Sequence, residues 1–321
     1  MELYDLLSYT FPTSGVRTNL LLPPLVAMVI TFFTSMAGIS GAFLLLPFQV
    51  SVLNYTAPSV SGTNHLFNVV AIPSGVYRFI REGRMAWPLT WVIVAGTLPG
   101  VFFGYWLRVR WLPDPASFKF FVGCVLLYIG IKLFKDLYGK PLAKSAASRT
   151  LEHKFSQLRR NEAGGAGIPE DAVVRTIRAD WRRVEYEFWG ERFGFNTWGM
   201  LLLAAVVGVI GGAYGIGGGS IIAPFCVAVF HLPVYTIAGA ALMGTCITSV
   251  AGAFFFTIMP AVGGLSAAPD WPLGLLFGLG GCAGMYLGAR CQKYVPQRGI
   301  KFLMGLVIIS LAVRYILQFI L

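Results

Sequence analysis

Apolar residues in this chain come in long runs, interrupted by glycine, proline and short charged loops, rather than at the spacing of a one-sided helix or strand. A helix needs about 18–20 apolar residues in a row to cross a bilayer. On that measure the pattern predicts membrane segments over residues 20–37, 42–53, 63–77, 89–107 and 118–134. A second set follows over 198–212, 220–230, 243–258, 273–288 and 302–320. The second segment of each set is too short for a full span, which predicts a broken or re-entrant hairpin. Residues 1–19 are a polar lead with no predicted element.

Between the two sets lies an insert, 138–195, rich in both charge signs and carrying a Gly-Gly-Ala-Gly-Ile-Pro linker. Within it Val184-Glu185-Tyr186-Glu187-Phe188 alternates, and Trp189-Gly190-Glu191 can turn the chain into Arg192-Phe193-Gly194-Phe195. Alternation flanked by a glycine turn predicts a small β-hairpin outside the bilayer. The expected fold is therefore an all-α polytopic membrane protein: residues 1–137 form a first repeat, 138–195 the insert and 196–321 a second repeat.

The two sets are copies of one another. Gly38-Ile39-Ser40-Gly41-Ala42-Phe43-Leu44-Leu45-Leu46-Pro47-Phe48 returns as Gly215-Ile216-Gly217-Gly218-Gly219-Ser220-Ile221-Ile222-Ala223-Pro224-Phe225. Trp87-Pro88-Leu89 matches Trp271-Pro272-Leu273, and Lys119-Phe120 with Gly123 matches Lys301-Phe302 with Gly305. Gly62-Thr63-Asn64 aligns with Gly244-Thr245-Cys246. Gly96, Gly100 and Gly104 match Gly280, Gly284 and Gly288, a ladder of small residues that lets helices approach closely. Glycine clusters inside apolar sequence predict helix breaks, and such breaks in matching halves point to a transporter's binding site.

Charge adds orientation. Of the 321 residues 56% are hydrophobic and only 12% charged, about half the charged fraction of a soluble domain, and the net charge is +11. The basic residues cluster in short loops and the insert, which fits cytoplasmic loops rather than a nucleic-acid partner. Arg78, Arg81 and Arg84 follow the third segment, whereas the matching loop at 260–270 has no basic residue; there the cluster comes one loop later, as Arg290, Lys293, Arg298 and Lys301. Opposite loop charge predicts an inverted repeat of five segments per half, with the insert cytoplasmic and both termini outside. Arg17, Arg108 and Arg110 fall on the outer side and run against the rule. The five cysteines lack CxxC spacing and read as small buried residues, with no metal or cofactor expected. No cleavable leader is expected, because no small-residue cleavage site follows the first apolar run.

The run at 38–47, the Gly62-Thr63-Asn64 segment, Arg84-Met85-Ala86-Trp87 and the second run with Gly217-Gly218-Gly219 resemble the sulfite exporter (TauE/SafE) family of membrane transporters. The resemblance covers the membrane part and not the insert. It departs at Ser40, which interrupts the first glycine run, and at Asn64-His65, where a Ser-Leu-type pair is common. It implies movement of small sulfur-containing anions such as sulfite, sulfonates or sulfoacetate across a prokaryotic plasma membrane. Such an anion needs hydrogen-bond donors and positive potential, and a helix N-terminus supplies both. The expected site is four converging helix starts: Ser40 and Gly41, then Thr63 and Asn64, in the first half; Gly218, Gly219 and Ser220, then Thr245, in the second. His65, able to change charge near neutral pH, is a candidate for anion binding or proton coupling. Gln49 and Asn68 either face a cavity or join helices, and Arg314 either snorkels or meets substrate. Two other readings stand beside the transporter. One is an anion channel. The other is an intramembrane serine protease, since Gly38-Ile39-Ser40-Gly41 fits a GxSG pattern and His65 is an imaginable base.

Overall fold

The computed structural model describes residues 7–36, 40–138, 150–151, 173–259, 266–291 and 297–320. In the first half the helices are α1 (Leu22–Met36), α2 (Ala42–Ser51), α3 (Ser59–Ala71), α4 (Pro73–Arg81), α5 (Trp87–Trp106) and α6 (Pro115–Tyr138). In the second they are α7 (Thr197–Tyr214), α8 (Gly219–Phe230), α9 (Val234–Ile258), α10 (Trp271–Cys291) and α11 (Gln297–Ile320). Six helical spans among the described residues are long and apolar enough to cross a membrane: those of α5, α6, α7, α9, α10 and α11. The chain is an integral membrane protein. Residues 37–39, which include Gly38, lie outside the described residues, and the first break is seen from its far side at Ser40-Gly41.

Local chemistry sets most of the ends. Asn196 caps α7 by accepting the Gly199 N–H at 2.8 Å. Gly215 ends it in the left-handed region at φ 89°, where a side chain is strained. Pro88 sits in the first turn of α5, where its missing N–H would have had no helical partner anyway. The last turn of α5 widens into a π-turn, Leu107–Trp111. Asn54 and His231, repeat counterparts, both adopt φ 54° just after the short helices α2 and α8.

Two expected starts are wrong, and the third segment, expected as one piece over 63–77, is divided at Ile72 into α3 and α4. α3 begins at Ser59 rather than residue 63, because its first turn, Ser-Val-Ser-Gly, is polar yet wholly buried in protein. Hydropathy reads lipid contact and misses such a turn. α9 begins at Val234 rather than 243, following Pro233 in extended conformation, and runs unbroken through Gly239 and Gly244. Cysteine burial is also mixed: Cys226 is buried, Cys124 exposed and the other three intermediate, all as free thiols.

Helices pair across the halves. α5 packs along α7, and its counterpart α10 packs along α1; α6 packs on α11; α3 packs on α10 as α9 does on α5. Exchanging the halves leaves this pairing unchanged. The glycine ladders make both long contacts possible. A Cβ on Gly96, Gly100 or Gly104 would collide with α7 at Leu201–Ala213, and one on Gly280, Gly284 or Gly288 with α1 at Pro24–Ser35. Small residues let the backbones touch, so dispersion contacts replace the hydrophobic drive that lipid removes.

The bundle has two distinct ends. At one, the insert supplies a three-stranded antiparallel sheet in the order β3 (Val174–Ala179), β4 (Arg183–Phe188), β5 (Glu191–Asn196). Its β4–β5 hairpin is the expected one, turned at Trp189 and Gly190 with both φ positive. The sheet docks through Tyr186 Oη and Thr236 Oγ1 at 2.7 Å, Phe195 against Phe230, and the Val174 N–H donating to the Gly83 carbonyl. At the other end of α5, the polar lead forms a hairpin of β1 (Ser8–Thr10) and β2 (Arg17–Asn19), contrary to expectation. Its anchors are non-local: Phe11 is fully buried, and Ser14 donates to Asp270 Oδ2 from both N and Oγ, at 2.9 and 2.8 Å.

Candidate functional site

In each half a short helix leaves a glycine break and rests its first turn on the middle of the next helix. In the first half, Ser40 Oγ accepts the Ala42 N–H at 3.3 Å and donates to Asn68 Oδ1 at 3.4 Å. Asn64 Nδ2 donates to the Ala42 carbonyl at 3.0 Å, and its Oδ1 accepts from Gln49 Nε2 at 3.4 Å. Asn64 and Asn68, one turn apart on α3, thus face the start of α2. Gln49, Asn64 and Asn68 are fully buried, yet Gln49 Oε1 and Asn68 Nδ2 have no hydrogen-bond partner.

The second half repeats the arrangement with smaller groups. Ser220 Oγ donates to the Ile216 carbonyl at 2.9 Å and lies 3.2 Å from Thr245 Oγ1. Thr245 donates to the Ala241 carbonyl. One turn further along α9, Ser249 is fully buried with an unpartnered Oγ. Gly217, at φ 73°, brings backbone against this pair; a Cβ there would stand 2.9 Å from Ser249 Oγ and 3.0 Å from Thr245 Cγ2. Gly219 lies closer still, with room for no side chain against Ala241 and Thr245, and Gly218 packs on Thr97.

The two clusters meet at the end of α7. Gly215 lies on the Ser61 backbone, Ser61 Oγ donates to the Ala213 carbonyl, and Tyr214 Oη donates to the Phe43 carbonyl at 2.7 Å. His65 fills the space between halves. Its Nε2 is 3.4 Å from the Gly212 carbonyl, its ring abuts Gly252 and stands 5.8 Å from Phe256, and its Nδ1 is unpartnered.

Sequence reasoning placed the glycine breaks, Ser40, Gly41, Gly218, Gly219 and Ser220 at helix starts, and they are there. It was wrong that Thr63, Asn64 and Thr245 begin helices. Asn64 stands a turn inside α3 and Thr245 is mid-α9, so their backbone amides are spent within the helix and only their side chains are available. Of the four expected helix starts only two are helix starts, those of α2 and α8. Thr63 also turns from the cluster: its Oγ1 donates to the Ser59 carbonyl, accepts the Asp270 N–H at 2.9 Å and sits 3.1 Å from Tyr55 Oη. Ser249 was missed, although its four-residue spacing from Thr245 lies within the segment expected over 243–258. The protease geometry is absent, since Ser40 bonds Asn68 while His65 faces Gly212, with no hydrogen bond between them. Arg314 is on the outward side of α11, beside a shallow groove of about 650 Å³.

Residues 24–315 match a family model described as sulfite exporter TauE/SafE. The chain is also similar to the "Probable membrane transporter protein YunE" of Bacillus subtilis (strain 168), 22% identical over 293 residues, covering 88% of this chain and 92% of that one. A second relative from the same organism, the "Probable membrane transporter protein YdhB", is 27% identical over 123 residues, covering 38% of this chain and 47% of that protein. No solved structure matches.

Proposed function

Because the chain belongs to the sulfite exporter TauE/SafE family, we propose that it is a secondary transporter for small sulfur-containing anions, sulfite and sulfonates such as sulfoacetate, bound between its two glycine-broken helix pairs. The observation that carries this reading is the concentration of buried polar atoms without partners around those breaks: Gln49 Oε1, His65 Nδ1, Asn68 Nδ2 and Ser249 Oγ. A buried group left unpaired costs about 1–3 kcal/mol, so four in one region are groups kept for something other than the fold. An oxyanion takes the Asn68 amide and Ser249 hydroxyl as donors, adds the positive ends of α2 and α8, and needs no formal charge at the centre.

The halves form an inverted repeat. Support comes from loop charge and from direction: α5 starts beside the insert sheet, whereas its counterpart α10 starts beside the N-terminal hairpin at Asp270. α3 and α9 likewise start at opposite ends. The positive-inside rule then puts the insert in the cytoplasm of a prokaryotic cell, with the protein in the plasma (inner) membrane. His65, wedged between halves that must move, is the residue placed to couple transport to protons.

Purified protein in proteoliposomes, offered sulfite, thiosulfate, sulfoacetate, taurine and plain carboxylates under a proton gradient, tests the reading. Concentrative uptake of the sulfur anions is expected, lost at least tenfold in Asn64→Ala and His65→Ala at unchanged folded yield. Wild-type flux in both variants removes this site. Fast flux with no coupling moves the reading to an anion channel.

A further inference from the structure

Arg108 stands where a topology argument does not want it. Its side chain is fully buried in the π-turn that ends α5. Nη2 donates to the Thr56 carbonyl at 2.7 Å, Nη1 donates to the Leu112 carbonyl, and the guanidinium lies 3.7 Å over the Phe118 ring. Nε has no partner. Among the described residues no carboxylate is within ion-pair distance of it. A buried cation without a counter-charge is expensive, several kcal/mol even after relaxation. Two carbonyls and the face of Phe118 favour the cation but supply no formal counter-charge, and Nε is left without a partner.

Three further observations give the charge a use. A π-turn, held here by the Leu112 N–H donating to the Leu107 carbonyl at 3.0 Å, is a distortion found mostly at functional sites. The loop that Arg108 grips carries Tyr55, whose Oη is 3.1 Å from Thr63 Oγ1, next to Asn64 on α3. The guanidinium is thus two hydrogen-bonded steps from the helical turn that holds the central cluster. Asp270, the buried acid of this end, is engaged elsewhere, by Ser14 and by the Leu273 N–H.

We propose that Arg108 is the charged capture residue of the transport path, binding an incoming oxyanion through its free Nε–H edge before the anion passes to the uncharged cluster at Asn64 and Asn68. The inference rests on the anion-transport reading. It accounts for a cation on the outer side: this charge serves the substrate, not the topology. All of these groups are covered in the arrangement described, so the anion reaches Arg108 only when the packing over its Nε opens.

The test is sulfite uptake kinetics in proteoliposomes for Arg108→Gln, Arg108→Lys and, as a matched charge loss, Arg110→Gln, whose side chain is exposed two residues away. Arg108→Gln is expected to raise the sulfite KM at least tenfold with kcat within about twofold. Arg108→Lys should recover most of that loss, and Arg110→Gln should leave KM unchanged. A KM within twofold of wild type in Arg108→Gln overturns the assignment, and so does an equal rise in Arg110→Gln. Asn68→Ala separates the two ideas, because wild-type flux in that variant sinks the central site while leaving Arg108 standing. If the Arg108 variants do not fold, phenylglyoxal on the wild-type protein decides. An adduct on Arg108 that sulfite suppresses supports the capture role; modification of Arg110 without any at Arg108 ends it.

Discussion

Asn68 condenses the functional argument into one side chain. Its amide oxygen accepts from Ser40, while its Nδ2 is buried with nothing to meet. Replacing it by leucine removes the unmet donor and keeps the branching of the side chain, with the loss of the 3.4 Å bond from Ser40. The Asn68→Leu protein should therefore melt within a few degrees of wild type, while sulfite flux falls at least tenfold. Thermal unfolding and liposome flux on the same preparation check both halves of the statement, and a large loss of stability would make Asn68 a structural residue. The sequence pointed at Asn68 only as one of two possibilities, because an amide in an apolar helix either binds a ligand or joins two helices. Ser249 was illegible for a different reason: a lone hydroxyl in an apolar helix looks like any other, and its burial beside Gly217 comes from the packing of α9 on the second glycine break.

Among the elements, the glycine ladders were the most legible feature and their partners the least. A four-residue glycine spacing announces a close helix contact whatever the neighbour. That α10 lies on α1, and α5 on α7, depends on how the halves interlock, which no local pattern carries. Gly284 packs directly on the Met28 carbonyl and Thr31. Gly284→Leu should thus force α10 from α1, with a loss of about 1–3 kcal/mol or more from overpacking. Gly299, with nothing within 4 Å of the added carbon, should accept alanine within about 0.5 kcal/mol. Retained fluorescence-detected monodispersity on heating compares the two, and equal behaviour would mean that the ladder does not hold the bundle. The expected four helix starts became two because polar residues near glycine were read as breaks. Buried in protein, they continue a helix instead.

At the scale of the whole molecule, the insert sheet and the N-terminal hairpin mark the two ends. Alternating residues and a Trp-Gly turn made the insert hairpin readable, whereas the N-terminal one depends on Asp270 and could not be read locally. The proposed orientation is checked on a cysteine-free background with a membrane-impermeant maleimide applied to intact cells. Asp114→Cys, at the hairpin end, should label, and Arg182→Cys, in the turn between β3 and β4, should label only after lysis. The reverse pattern would turn the protein over in the membrane and with it the side from which Arg108 meets its anion.

The interlocking of α1 with α10 also bears on biogenesis. α1 finds its long partner α10 only after residues 37–270 have been made, a wait of roughly ten seconds or more at about 5–20 residues per second. Until then α1, 15 residues long, lacks its long packing surface. Two separately expressed halves should therefore be stable only when made together.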